Sequence, residues 1–158
     1  MNLPSLKSGI SVLQDRLGSM TTSPGVYRMI NSAGEVIYVG KAKNLLKRLT
    51  NYTQAARLEY RIQNMVANIA DLEVITTNTE AEALLLEANL IKKYEPKYNI
   101  LLKDDKSYPY ILITKDEHGF PRIMKHRGQK TQKGKYYGPF PSAGAVNKAI
   151  EDLQKAFL

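Results

Sequence analysis

Apolar residues recur at steps of three and four in several stretches of the chain, which is the spacing of amphipathic helices. The pattern predicts helices over 3–17, 44–53, 58–70, 79–94 and from Ser142 to the end. The helix over 79–94 has the clearest limits, because Thr79 and Glu82 form a capping-box sequence and Pro96 cannot continue a helix. The last helix carries apolar residues up to Phe157 without a cap, so we expect the natural chain to continue.

Shorter stretches rich in β-branched and aromatic residues predict strands. Residues 25–40 form one predicted hairpin, 72–76 supplies a third strand, and 110–113 with 122–125 forms a second hairpin. The predicted fold is α+β, with a small, mainly antiparallel sheet of about three strands flanked by helices, then an appended hairpin and a C-terminal helix. We divide the chain into a helical extension (1–19), a main domain (20–101) and an appended region (102–158).

The first hairpin carries one tyrosine on each arm, in Gly-Val-Tyr at 25–27 and Tyr-Val-Gly at 38–40. A turn centred on 32–33 places Tyr27 directly opposite Tyr38, with both side chains on one face. Two phenols would then share one patch of the surface. A cross-strand aromatic pair that serves packing alone is the alternative.

Four cationic residues follow the second tyrosine on a predicted helix, and no Asp or Glu occurs between Val36 and Leu58. Helical spacing places Lys41, Arg48 and Tyr52 on one face. Hydroxyls beside clustered cations suit a phosphate group. The four cations are Lys41, Lys43, Lys47 and Arg48.

The helix over 79–94 places a carboxylate, Glu87, where its core-facing side should be. The apolar positions around it are Ala83, Leu84, Leu90 and Ile91. Glutamate is almost never buried unless it is paired or bound to a metal. We interpret Glu87 as the ligand of one Mg²⁺ or Mn²⁺ ion that keeps most of its waters. The alternative is that Glu87 lies at the edge of the apolar face and pairs with Lys or Arg.

The chain of 158 residues has 23 Lys and Arg against 15 Asp and Glu, a formal net charge of +8. This excess favours a polyanionic partner. No acidic residue occurs from His118 to Ile150, although this stretch contains seven Lys and Arg. A solvated basic loop that only aids solubility is the alternative. We predict DNA contacts at Lys43, Lys47, Arg127, Lys130, Lys133 and Lys135.

Several functional classes are excluded by what the sequence lacks. There is no cysteine, and the two histidines, His118 and His126, are too few for a zinc site or an imidazole-based nuclease. No stretch approaches the roughly 18 apolar residues of a membrane span, and no signal peptide is recognisable, so we expect a cytoplasmic protein without membrane association. No Walker A or dinucleotide motif occurs, so no nucleotide cofactor is predicted.

Five blocks occur in an order that is similar to one known family. They are the tyrosine triplets with Lys41 and Arg48, then 82–92, Pro-Lys-Tyr-Asn at 96–99, Asp-Asp-Lys-Ser-Tyr-Pro at 104–109 and Tyr-Tyr-Gly-Pro-Phe at 136–140. Together they resemble the GIY-YIG nuclease family, in the variant found in the bacterial excision nuclease, from about residue 20 to the end. Valine replaces the more usual isoleucine in both triplets and keeps a β-branched residue there.

The resemblance implies a DNA endonuclease that hydrolyses a phosphodiester with one Mg²⁺ or Mn²⁺ held by Glu87. The base could be a phenol, a lysine or solvent. We favour Tyr38, because nearby cations lower the pKa of a phenol from its usual value of about 10. We interpret Tyr27 as orienting the water or the phosphate. Arg48 and Lys41 would stabilise the phosphate. The implied catalytic set is Tyr27, Tyr38, Lys41, Arg48, Tyr52 and Asn99, the last as an organiser of the site.

The resemblance further implies damaged double-stranded DNA as substrate, cut on the 3′ side of a lesion in nucleotide excision repair. It implies the UvrB subunit as partner, through parts of a longer protein that lie outside this sequence. A free-standing GIY-YIG nuclease of repair, homing or restriction type is a close alternative. Two further alternatives are a non-catalytic basic nucleic-acid-binding domain and a ribosomal-type structural protein. If the chain were such a structural protein, we would expect no dependence on a metal.

Overall fold

The structure is a computed structural model that describes residues 4–102 and 107–156. Predictions that involve Leu3, Phe157 or the Asp-Asp-Lys sequence at 104–106 lie outside these residues. The elements in chain order are α1 (Leu6–Leu17), β1 (Gly25–Ile30), β2 (Val36–Ala42), α2 (Leu45–Tyr52), a 3₁₀ turn (Ala55–Arg57), α3 (Tyr60–Ala67), β3 (Asp71–Thr76), α4 (Glu80–Tyr94), β4 (Tyr110–Lys115), β5 (Pro121–His126), β6 (Lys135–Tyr137) and α5 (Ala143–Ala156).

The predicted helices are present with small changes at their ends. The Thr79 side chain caps α4 by accepting a hydrogen bond from the Glu82 N–H at 3.1 Å. The Glu82 carboxylate in turn accepts from the N–H of Asn78, one residue before the cap. Helix α3 is shorter than the predicted 58–70, because Leu58 and Glu59 have extended backbone angles and precede its first turn.

Strands β1, β2 and β3 form an antiparallel sheet in the order β2-β1-β3, which confirms the predicted α+β class. The predicted pairing of the two tyrosines is wrong, because Tyr27 lies opposite Gly40 and Tyr38 opposite Met29. The turn is closed instead by the Asn31 N–H donating to the Glu35 carbonyl at 3.0 Å, and the register shifts after Met29. A slip of two residues leaves both tyrosines on the same face of the hairpin.

The prediction that Lys41 lies on a helix with Arg48 and Tyr52 is also wrong. Lys41 belongs to β2, where it pairs with Val26. Helix α2 begins only at Leu45, because Asn44 caps it by accepting a hydrogen bond from the Lys47 N–H at 3.0 Å. Lys41 therefore approaches the site from the sheet, whereas Arg48 and Tyr52 approach from the helix.

The first sheet lies between two layers of helices. On one face, Tyr27 and Met29 of β1 pack in a core with α1, α2 and α3. On the other face, Val26 and Val39 pack against Ala83 of α4. Strand β2 is at the edge of this sheet, so side chains from both layers can meet beside it.

A second antiparallel sheet, in the order β5-β4-β6, follows with α5 packed against it. Its core includes Ile111, Phe140 and Val146, and it continues onto Ala81 and Leu84 of α4. Strand β6 was not predicted. The division of the chain at 19 and 101 stays a prediction. Among the described residues, no helix is both long and apolar enough to cross a lipid bilayer.

Candidate active site

The centre of the site is a hydrogen-bonded pair of phenols. The hydroxyl groups of Tyr27 and Tyr52 lie 2.7 Å apart, and Arg48 Nε donates to the Tyr27 hydroxyl at 3.4 Å. The Tyr38 ring lies 6.1 Å from the Tyr27 ring, centroid to centroid. The Arg48 guanidinium carbon lies 5.2 Å from the centre of the Tyr52 ring. Three tyrosines and one arginine, from β1, β2 and α2, therefore form one cluster.

Gly40 makes this cluster possible. A Cβ atom at Gly40 would lie 2.3 Å from both Cζ and the hydroxyl oxygen of Tyr27, so only glycine allows the phenol to lie across β2. A Cβ atom at Gly25 would similarly lie 2.4 Å from the carbonyl oxygen of Ile75 on β3. Steric contacts within the fold thus explain why each tyrosine triplet carries glycine rather than a residue with a Cβ atom.

Two tyrosines of the cluster, Tyr27 and Tyr38, have raised pKa values. Burial raises the pKa of Tyr27 well above its usual value, and the neighbouring Tyr52 and Tyr38 add to the rise. Burial also raises the pKa of Tyr38, with further contributions from Tyr52 and Glu87, while Arg48 acts in the opposite direction. The sequence argument relied on nearby cations to lower the pKa of a phenol, and for Tyr38 the lowering by Arg48 is outweighed by burial.

Glu87 reaches the same cluster from α4, on the other side of the edge strand. Burial raises the pKa of its carboxyl group, and this rise is opposed by the charge and backbone N–H of Lys41 and by the charge of Arg48. In the described part of the chain, neither Lys nor Arg forms an ion pair with Glu87. The metal-ligand interpretation of Glu87 and the alternative, a carboxylate at the edge of the apolar face paired with Lys or Arg, both stay predictions.

Asn99 holds the outer edge of β2. Its side-chain oxygen accepts a hydrogen bond from the Val39 N–H at 2.9 Å, and its amide nitrogen donates to the Val39 carbonyl at 2.9 Å. The N–H of the preceding Tyr98 donates to the Ile37 carbonyl at 2.9 Å. These bonds flank Tyr38 on both sides and fix its backbone. Both polar ends of the Asn99 amide are thus engaged with the backbone of Val39, next to Tyr38.

The structure places all seven predicted catalytic and metal-binding residues on β2 or on the elements beside it. Their chemical roles stay predictions. The predicted DNA contacts fall on two surfaces. Lys43 and Lys47 are exposed beside the cluster. The others lie on or beside the second sheet, where Lys130 Nζ is 4.4 Å from the centre of the Tyr110 ring and Arg127 donates to the Ser107 carbonyl.

The donor set suits a single, largely hydrated divalent cation. Among residues 4–102 and 107–156, no group of three His, Cys, Asp or Glu side chains is close enough to form a cage. Glu87 instead offers one half-buried carboxylate whose charge is disfavoured by its partial burial. Mg²⁺ is commonly held by one or two carboxylates and keeps several waters, so the residues present fit this ion.

Comparisons with known proteins identify the family. Residues 23–100 match the UvrC-like GIY-YIG domain, and residues 108–158 match the UvrC/Cho excinuclease middle domain. The UvrABC system protein C of Rhodospirillum rubrum is 58% identical over 155 residues, which are 98% of this chain and 24% of that protein. The corresponding protein of Bradyrhizobium diazoefficiens is 56% identical over 154 residues, covering 97% of this chain and 22% of its own. The chain thus spans about a quarter of the length of these relatives.

Solved structures agree with this assignment. The crystal structure of the GIY-YIG N-terminal endonuclease domain of UvrC from Thermotoga maritima, bound to its catalytic magnesium, has a TM-score of 0.51 and 40% identity. It covers 56% of this chain and 96% of that domain. The same Thermotoga domain with single tyrosine-to-phenylalanine or asparagine-to-alanine substitutions, also bound to its catalytic cation, is similarly matched. The chain belongs to the UvrC-like GIY-YIG family, whose fold is that of an endonuclease domain.

Proposed function

We propose that this chain is a divalent-metal-dependent DNA endonuclease module of a UvrABC-type excision nuclease, which cuts on the 3′ side of a lesion. The observation that carries the proposal is the meeting of one half-buried carboxylate, Glu87, with Arg48 and three tyrosines at the edge strand of the first sheet. A domain that only binds DNA requires cations, but it requires no carboxylate placed among them and partly removed from water.

The proposed roles follow from this geometry. Arg48 presents its remaining guanidinium N–H groups to the phosphate, because only its Nε is engaged with Tyr27. Tyr27 is fully buried and bonded to Tyr52, which suits orienting Arg48 more than contacting water. Tyr38 is half-buried, and Glu87 is among the groups that raise its pKa, which places this phenol beside the proposed metal ligand. We assign Tyr38 the role of base, which requires its ionised form; the charge of Arg48 and of a cation on Glu87 would favour that form. Lys41 adds positive charge beside Glu87.

Glu87 would hold the metal ion, with water completing its coordination. When bound there, Mg²⁺ or Mn²⁺ would supply positive charge for the developing phosphorane and the departing 3′ oxygen, and would cancel the carboxylate charge that raises the pKa of Tyr38. Asn99 fixes the backbone on both sides of Tyr38 through Val39.

The test is nicking of a supercoiled plasmid with Mg²⁺ or Mn²⁺, compared with the same reaction in EDTA. Glu87→Gln should reduce metal-dependent nicking by about a hundredfold or more, because several kcal/mol of charge stabilisation are lost. DNA binding should survive, since the cationic surface is unchanged. The exposed Glu151→Gln on α5 removes the same charge elsewhere and should nick like the parent. Equal nicking by Glu87→Gln and the parent in saturating Mn²⁺ would refute the metal-ligand assignment.

The repair context is the finer part of the proposal. UvrB would deliver damaged double-stranded DNA to the module, through parts of the longer protein that relatives of this chain possess. A duplex with one bulky lesion, incubated with the full-length relative and UvrB, should be cut on the 3′ side, and Glu87→Gln should abolish this cut alone. Cutting of undamaged plasmid at fixed sequences would instead favour a homing or restriction nuclease. The cytoplasmic location stays a prediction.

A further inference from the structure

A groove of about 290 Å³ opens directly beside Arg48 and Tyr52, on the side formed by the chain that follows α2. Its far wall carries Arg57, Leu58 and Ile62. Its volume is near the lower end of the ≈ 300–1,000 Å³ that small-ligand pockets occupy. The groove therefore has room for about one nucleotide, and it adjoins the residues proposed to hold the cleaved phosphate.

The far wall of the groove is firmly built. Ala55 is completely buried at the start of the 3₁₀ turn that ends at Arg57. The Leu58 N–H donates to the Ala55 carbonyl at 2.9 Å, and the Gln63 side-chain amide donates to the Leu58 carbonyl at 2.9 Å. These bonds fix the backbone that carries Arg57, so its side chain extends from a defined point on the wall of the groove.

Arg57 is exposed, and among the described residues its guanidinium forms no hydrogen bond or ion pair. No Asp or Glu is among the described residues that line the groove, so Arg48 and Arg57 give it a net positive charge. A guanidinium offers five N–H donors in a planar fork that matches phosphate oxygens. The charge and the geometry of this wall both select an anion with several oxygens.

The rest of the lining suits a nucleotide more than a bare phosphate. Leu58 is 38% exposed and offers an aliphatic surface for a sugar or a base. Asn51 and Gln54 are exposed on the same groove, and their amides can both donate and accept hydrogen bonds. The groove thus offers a cation for the phosphate of a nucleotide, amides for the edge of its base and an aliphatic side chain for its sugar.

We propose that this groove binds the nucleotide adjacent to the cleaved phosphodiester, with Arg57 on that nucleotide's phosphate. The proposal rests on the nuclease function proposed above and adds a subsite to it. Arg57 acts here in positioning the strand, since phosphate contacts fix the register of a nucleic acid on a protein without reading its sequence.

The first experiment measures duplex affinity in EDTA, where no cutting occurs, as a function of salt. Arg57→Gln should bind about tenfold more weakly, as expected for loss of one charge-assisted contact. Its slope of log K against log salt should be smaller than that of the parent by about 0.9. Lys7→Gln removes one exposed charge from α1 that is not part of the groove lining, and it should leave both quantities unchanged.

The second experiment locates the contact. Uncharged methylphosphonates replace single phosphates within two positions of the mapped nick, and binding is measured for the parent and Arg57→Gln. At one position, the methylphosphonate should weaken binding of the parent but not of Arg57→Gln, because the contact is already lost. The subsite would be overturned if the effects of the methylphosphonate and of Arg57→Gln on binding were additive at every position. It would also be overturned if Arg57→Gln had the affinity and the salt slope of the parent.

The two proposals can fail separately. A parent that binds DNA but nicks none in Mg²⁺ or Mn²⁺ would refute the nuclease function, while the salt slope would still report on Arg57. A parent that nicks normally, with an Arg57→Gln variant indistinguishable from it in affinity and slope, would refute the subsite alone.

Discussion

Replacement of Gly40 by alanine tests whether the packing of Tyr27 across β2 holds the site together. The added Cβ would lie 2.3 Å from the Tyr27 ring, roughly 1 Å short of an ordinary van der Waals contact near 3.4 Å. The ring cannot easily move away, because Tyr27 is completely buried and its hydroxyl is 2.7 Å from that of Tyr52.

The expected cost can be worked out from this geometry. Overpacking of a buried site typically costs about 1–3 kcal/mol. The lower backbone entropy of alanine in the unfolded chain offsets about 0.4–1 kcal/mol of this. We therefore expect Gly40→Ala to reduce the free energy of unfolding by about 1–2 kcal/mol, and the melting temperature by about 2–8 °C. Metal-dependent nicking should fall as well, because Tyr27 can no longer hold both Tyr52 and Arg48.

Gly18→Ala is the matched control. Gly18 has right-handed helical angles, with φ of −63°, and a Cβ there would meet no atom within 4 Å. This variant should be as stable as the parent or more so, since only the entropy effect of alanine remains. Thermal melts and plasmid nicking of the two variants provide the comparison. If Gly40→Ala melts like Gly18→Ala and nicks like the parent, the steric role of Gly40 is refuted.

Three further predictions concern the tyrosines and the basic surface. Tyr38→Phe should slow nicking by about 10²–10⁴-fold at unchanged DNA affinity, whereas Tyr60→Phe, at a residue that is 82% exposed, should have no effect; similar rates for the two would exclude Tyr38 as base. Because the pKa of Tyr27 is raised in the folded state, its contribution to stability is complete below pH about 10 and is lost at higher pH. Denaturant titrations at rising pH should therefore show a steeper loss for the parent than for Tyr27→Phe, and equal slopes would contradict the buried, protonated phenol. Replacement of Lys130, Lys133 and Lys135 by Gln should weaken DNA binding and flatten the slope of log K against log salt by up to about 0.9 per contact removed; an unaltered slope would show that the second sheet does not carry DNA.

Features that depend on periodicity were predictable from the sequence. The position of Glu87 among apolar residues of α4 follows from helical spacing alone, and the structure places it beside the tyrosine cluster. The shared face of Tyr27 and Tyr38 follows from the two-residue period of strands. The pairing register does not follow from this period, because a slip by two residues leaves each side chain on the same face of the hairpin. The hydrogen bonds between Asn31 and Glu35 at the turn fix the register instead.

Features that depend on contacts between distant segments were not predictable from local pattern. Asn99 bonds to a strand residue 60 positions earlier, and only the family resemblance pointed to it. The bond between Tyr27 and Tyr52 joins two elements whose packing no periodicity describes. Strand β6 has three residues and pairs with β4 across a long connection, so its sequence carries too little alternation to be recognised. The groove beside Arg57 likewise exists only once α2, the 3₁₀ turn and α3 are packed together.

Helix α4 is a wall common to two cores, with Ala83 facing the first sheet and Ala81 and Leu84 facing the second. Side chains of this one helix therefore belong both to the core of the first sheet and to the core of the second. A displacement of the second sheet would act on α4, and Glu87 is one turn from Leu84 on this helix. We therefore expect a partner bound to the second sheet to shift the Glu87 carboxylate relative to the tyrosine cluster through α4.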